Sequence, residues 1–93
     1  MADVQSFVLD LSGARVRRTD LSHANLTRAN LSRADLTGAN LRGANLAGAV
    51  LTGTILRGAD LSDVKNLTKT QLAEAVIDET TILPSNLMTM AGS

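Results

Sequence analysis

The apolar residues recur every five positions through the middle of the chain. Cut from Leu9, the sequence reads LDLSG ARVRR TDLSH ANLTR ANLSR ADLTG ANLRG ANLAG AVLTG TILRG ADLSD, eleven consecutive pentads. The central column holds Leu11, Val16, Leu21, Leu26, Leu31, Leu36, Leu41, Leu46, Leu51, Leu56 and Leu61. Two places earlier stand eight alanines, interrupted by Leu9, Thr19 and Thr54. Asp or Asn lies between the two columns in all pentads but three, where Arg15, Val50 and Ile55 replace it. Six of the seven glycines fall in the last column.

A period of five suits neither regular element. On an α-helix, at about 100° per residue, the leucines would spiral over every face. On one continuous strand, odd spacing would send successive leucines to opposite faces. The chain direction must therefore reset once per pentad, and a turn supplies the reset. Ala-Asn-Leu alternates in, out, in, as a short strand does. Ser, Thr or Arg and then Gly suit an exposed corner, where glycine tolerates a positive φ. Four right-angle corners close a square of twenty residues, and stacked squares make a solenoid filled by Leu and Ala.

The run A(D/N)LxG resembles the pentapeptide-repeat family. The resemblance spans roughly residues 9–63. It implies an all-β solenoid, a right-handed quadrilateral β-helix with the central Leu and preceding Ala facing inward. The repeats from 9 to 65 then make about three coils, preceded by a lead-in at 1–8. A short solenoid needs covered ends, because open coils expose unpaired backbone.

The repeat slips at Val64-Lys65-Asn66, and Thr68-x-x-Gln71 follows as a capping box, with Leu67 and Leu72 as its hydrophobic staple. Leu72, Ala75 and Val76 share one helical face. The spacing predicts a helix over 69–77 within a C-terminal cap at 66–84. Residues 78–84 are expected to run back extended, and 85–93 to form a disordered tail. The cap segment is similar to the tail that often closes small members of the family.

Composition removes whole classes of function. There is no Cys and one His (His23), so neither disulfides nor a Cys- or His-based metal cluster can form. One Phe, with no Trp or Tyr, leaves no base-stacking surface. Carboxylate ladders can bind Ca²⁺, but most of this column is Asn, whose amides hold turns. No cofactor or metal site is expected. The uncharged stretch from Gly43 to Leu56, unexceeded in length elsewhere in the chain, is too short and polar for a span of about 20 residues. The opening MADVQSFVLD lacks a signal-peptide pattern, so a reducing cytoplasm is expected.

Asp20, Ser22 and His23 sit close in sequence, but on the expected coil they are outward or corner positions with nothing to orient them. No catalytic residues are assigned. Nine basic residues balance nine acidic ones, yet the charges are segregated. Between Leu11 and Ala59 stand seven arginines and two aspartates. Arg15, Arg17, Arg18, Arg28 and Arg33 form the candidate patch for an acidic partner. Twenty residues separate Arg15 from Asp35, so the two are expected to stack and pair. Phe7, Val50 and Ile55 are the candidate apolar contacts, and the apolar N-terminal end suggests an end-to-end homodimer.

These features favour a non-catalytic structural or protein-interaction module. Two alternatives stand beside it. Family members that inhibit or protect DNA gyrase resemble duplex DNA in shape and acidic charge; this chain is shorter and its middle basic. An anion or nucleic-acid binder could use Arg17, Arg18, Arg28 and Arg33.

Overall fold

The computed structural model describes residues 9–87. Its chain turns a corner every five residues from Ser12 to Asp63. At every corner but that of Val16 the residue after the pentad donates its amide to the carbonyl of the central residue, as in Ala29 N to Leu26 O at 3.0 Å and Ala44 N to Leu41 O at 2.9 Å. The corner residue itself has φ between 55° and 71°. Glycine reaches that region without Cβ strain, which is why it fills most of this column.

Successive circuits lie twenty residues apart. Asp10 bridges Asn30 and Asn30 bridges Val50; Arg15, Asp35 and Ile55 make the next ladder, all parallel. Each bridge is isolated, so the rungs are one residue wide rather than strands. The expected three-residue strands contract because each corner takes the flanking residues. Residues 10–65 at twenty per circuit make just under three circuits.

The four sides can be numbered in chain order by their outward columns. The first carries Asp10, Asn30 and Val50; the second, Arg15, Asp35 and Ile55. The third carries Asp20, Asn40 and Asp60; the fourth, Asn25, Asn45 and Lys65.

The inward columns make the core. Leu26, Leu31, Leu36, Leu41, Leu46, Leu51, Leu56 and Leu61 are buried, with Ala29, Ala34, Ala39, Ala44, Ala49 and Ala59 between them. Leu11, Val16 and Leu21 were expected to match them but are only partly buried. They belong to the first circuit, which has a neighbour above it and none described below. Thr54 takes an alanine place and is buried; its hydroxyl donates to Leu31 O at 2.6 Å. A polar group there is tolerated because it is paired.

At the far end Thr68 caps α1, Lys69–Glu74, with Gln71 completing the capping box. Leu67 and Leu72 are buried beside it. The Gln71 side-chain amide donates to Leu46 O and Ala49 O, both at 2.9 Å, satisfying carbonyls of the last circuit. The helix stops three residues short of the expected 77. Ala75 is already extended at φ −92°, ψ 164°. Val76 then joins the second side as a fourth rung, donating to Thr54 O and accepting from Leu56 N, both at 2.8 Å.

Residues 78–81 form a turn rather than the expected extended run, closed by Thr81 N to Asp78 O at 3.1 Å. Thr81 also donates its hydroxyl to Leu56 O at 2.8 Å. Ile82 then adds a rung above Asp60 on the third side. The expected disordered tail begins too early at 85, because 85–87 are helical and Leu87 is buried.

Candidate functional site

Each outward Asp or Asn holds its own turn. Asp35 Oδ1 accepts from the Thr37 amide at 3.1 Å and from its hydroxyl at 2.6 Å. Asp10 with Ser12, Asn25 with Thr27, Asn30 with Ser32 and Asp60 with Ser62 repeat the arrangement. So does Asp20 with Ser22, one half of the sequence-adjacent Asp-Ser-His group. An arrangement repeated around the whole stack serves turns and not one reaction. The hydrogen bonds from Thr37 hold the Asp35 carboxyl below its ordinary value, with Arg17 and Arg15 as smaller contributors. Asp60 is lowered in the same way by Ser62, and then by Arg42.

The corners carry a second pattern. Arg18, His23, Arg28 and Arg33 occupy positive-φ positions that glycine fills elsewhere. Each lies twenty residues below a glycine. A Cβ built on Gly38 would meet Arg18 Cγ at 3.2 Å, and one on Gly53 would meet Arg33 Cγ at 3.4 Å. On Gly43 it would meet His23 Nδ1 at 2.5 Å. The aliphatic stems thus lie over the bare corner above, with their charged ends outward. Within the corner ladders Gly13–Arg33–Gly53 and His23–Gly43–Asp63, side-chain-bearing residues alternate with glycine.

This geometry sorts the arginines. Arg15 and Arg17 belong to the second side, and Arg33 and Arg18 stand at its two bounding corners. Arg57 joins them, since it lies two rungs above Arg17. Arg28 does not; its corner is diagonally opposite that of Arg18, so the five arginines expected to form one patch are divided. Over its first three rungs the second side therefore gathers five arginines around Asp35, and the corners of its fourth rung add Glu74, beside Thr52, and Asp78, beside Arg57. The ion pair there is Arg17 Nε to Asp35 Oδ2 at 3.8 Å, not the expected pair with Arg15. The third side carries Asp20 and Asp60 in its own column and shares the corner of Arg18 with the second; at its far corner Arg42 pairs with Asp63 at 3.3 Å.

Of the expected apolar contacts, Val50 is exposed on the first side. Ile55 is half-buried beneath Val76, its neighbour on the second side. Phe7 lies outside the described residues. Leu9 is exposed and Leu11, Val16 and Leu21 partly covered at the end where a homodimer was expected. Among the described residues no three His, Asp or Glu side chains gather as a metal site, and no cavity opens. No helix among them is long and apolar enough to cross a membrane.

The model of pentapeptide repeats matches residues 10–43, 29–65 and 39–81, with eight copies. The chain belongs to the pentapeptide-repeat family. Among solved pentapeptide-repeat proteins it is similar to Rfr23 of the cyanobacterium Cyanothece 51142, at 37% identity and TM-score 0.66. That match covers 80% of this chain and 53% of Rfr23. A pentapeptide-repeat protein of the Arabidopsis thaliana thylakoid lumen is 28% identical over 82% of this chain and 55% of its own, with TM-score 0.41. HetL of Nostoc sp. strain PCC 7120, involved in heterocyst differentiation regulation, is 27% identical over 83% of this chain and 43% of its own, with TM-score 0.38. The chain thus spans about half the length of these solved relatives. No curated protein matches it.

Proposed function

We propose that this pentapeptide-repeat chain is a non-catalytic structural and protein-interaction module. On this reading it is a right-handed, four-sided β-helix of about three coils, closed at its C-terminal end by α1 and the rungs that follow. Its sides hold side chains on a fixed grid, and binding draws on that grid.

The observation that carries the reading is the segregation of charge between adjacent sides. Five arginines collect on the second side against Asp35, Glu74 and Asp78, while the outward column of the third carries Asp20 and Asp60 and no cation. Such a surface favours one orientation of a partner over others. The rest of the molecule supports the same reading. Among the described residues no buried side-chain polar atom lacks a partner, and no cleft exists to exclude water from a reaction. The topoisomerase-directed alternative requires an acidic rod, and the second side has the wrong sign for it.

The test is reconstitution. The tagged protein captures a partner from an extract of its own source, and the complex is rebuilt from the two purified components. The expected result is a stoichiometric complex indifferent to alanine at Ser22 and His23 together. Failure to rebuild any complex, or a chemical conversion lost in that double variant, refutes the module reading.

A further inference from the structure

The second side changes character from bottom to top. Its outward ladder runs Arg15, Asp35, Ile55, Val76. The lower half is cationic; the upper half presents Ile55 and the exposed Val76, with Glu74 at one corner and Arg57 and Asp78 at the other. Arg57 stands beside Ile55, while Arg33 and Arg18 mark the two corners. Of these five arginines, only Arg17 has a carboxylate within ion-pair distance among the described residues. Asp78 senses Arg57 more weakly, after the hydrogen bonds from Thr80.

The charges are also pre-positioned. Arg18 and Arg33 are held at φ 55° and 60°, with their stems over Gly38 and Gly53. Fixing the stems in advance lowers the entropy lost when the guanidinium groups bind.

We propose that the second side docks an acidic, amphipathic segment of a partner protein, an inference that rests on the module reading. The segment's carboxylates meet Arg15, Arg17, Arg18, Arg33 and Arg57, and its apolar side chains seat on Ile55 and Val76. Four rungs at about 4.8 Å make a surface about 14 Å tall, enough for one helix of ~10–12 Å diameter. A nucleic acid fits less well. Its phosphates offer nothing to Ile55 and Val76, and a polyanion wider than this side meets Asp20, Asp60 and Asp63 around the corner.

Fluorescence anisotropy against three labelled probes tests this. The first is a synthetic helical peptide with a glutamate stripe beside a leucine stripe. The second is an oligoglutamate of equal charge, and the third a short DNA duplex. The amphipathic peptide is expected to bind about tenfold or more tighter than either control. Arg17→Glu with Arg57→Glu should weaken its binding by about tenfold or more, and Val76→Ser by about threefold. Arg28→Glu, at the diagonal corner, should leave Kd within about twofold. The urea midpoint of each variant shows that it is folded, and Arg17→Gln with Arg57→Gln repeats the test without charge reversal.

Equal sensitivity to Arg28→Glu overturns the proposal, since net charge alone would then explain binding. Equal affinity for oligoglutamate removes the apolar half. Tighter binding of the duplex, lost in the same arginine variants, makes this a nucleic-acid surface instead. If the reconstituted partner is indifferent to Arg17→Glu with Arg57→Glu, this docking surface fails while the module reading stands.

Discussion

Alanine at Gly43 probes how the corners interlock, with Gly13 as its control. Both have φ near +70°, so both substitutions carry the same backbone penalty. An L-residue in the left-handed region costs about 1–2 kcal/mol. Part is returned, because the unfolded chain also loses about 0.4–1 kcal/mol of freedom. At Gly13 a new Cβ meets nothing within 4 Å, leaving a net loss of about 1 kcal/mol.

At Gly43 the Cβ would stand 2.5 Å from His23 Nδ1 and 2.7 Å from Cε1. The imidazole is exposed and can swing away, so the added cost is that of a displaced rotamer and a lost contact, about 1 kcal/mol. Gly43→Ala should therefore cost about twice as much as Gly13→Ala. In a double-mutant cycle, His23→Ala should recover the difference as a coupling of about 1 kcal/mol. Urea unfolding followed by far-ultraviolet circular dichroism is the assay, since the chain has neither Trp nor Tyr to fluoresce. Equal losses at the two glycines, or zero coupling, would show that His23 does not lie over Gly43.

Three further outcomes follow from the packing. Leu36 is fully buried between the first and third circuits, and Leu36→Ala should cost about 2–5 kcal/mol in the same assay; a loss below about 0.5 kcal/mol would refute the register. Gln71→Ala uncovers Ala49 O, takes one of two donors from Leu46 O and removes half of the capping box, so a loss of about 1–2 kcal/mol is expected on urea unfolding. Asp10, Asp20, Asp35, Asp60 and Asp78 all titrate below their ordinary value of 3.8, each first because of a hydroxyl two residues on. Their contribution is present above that value and is lost as the pH falls through the lowered folded values. Melting temperature should therefore drop at the acid end, and Asp35→Asn, which keeps the acceptor without the titration, should flatten the drop.

The five-residue period carries the core plainly, because leucine and alanine recur where the corner geometry turns them inward. The capping box is equally local, with Thr68 and Gln71 three residues apart. What escapes a reading by fives is whatever depends on the circuit. Arg57 and Arg17 are forty residues apart in sequence and share a column; Arg28, eleven from Arg17, stands at another corner. Indexed by twenty, the chain would have placed Arg57 with the patch and Arg28 outside it. The pairing of Arg18 with Gly38 and His23 with Gly43 was legible on the same index. The end of α1 was not, because the helical pattern of Ala75 and Val76 is overridden by backbone bonds to Thr54 and Leu56. Tertiary pairing decides there, and core packing buries Leu87, for which the sequence holds no local signal.

The two periods respond differently to a change in length. Five inserted residues would keep every leucine inward and every corner in place, so the core would survive. They would also carry all later residues one quarter-turn onward, moving Ile55 and Arg57 away from Arg15. Only an insertion of a whole circuit, twenty residues, returns the outward ladders to their sides. Gain or loss of single pentads can thus give lineages that share this interior while exhibiting unrelated exteriors. A duplication of one circuit instead lengthens the molecule and keeps its existing faces aligned.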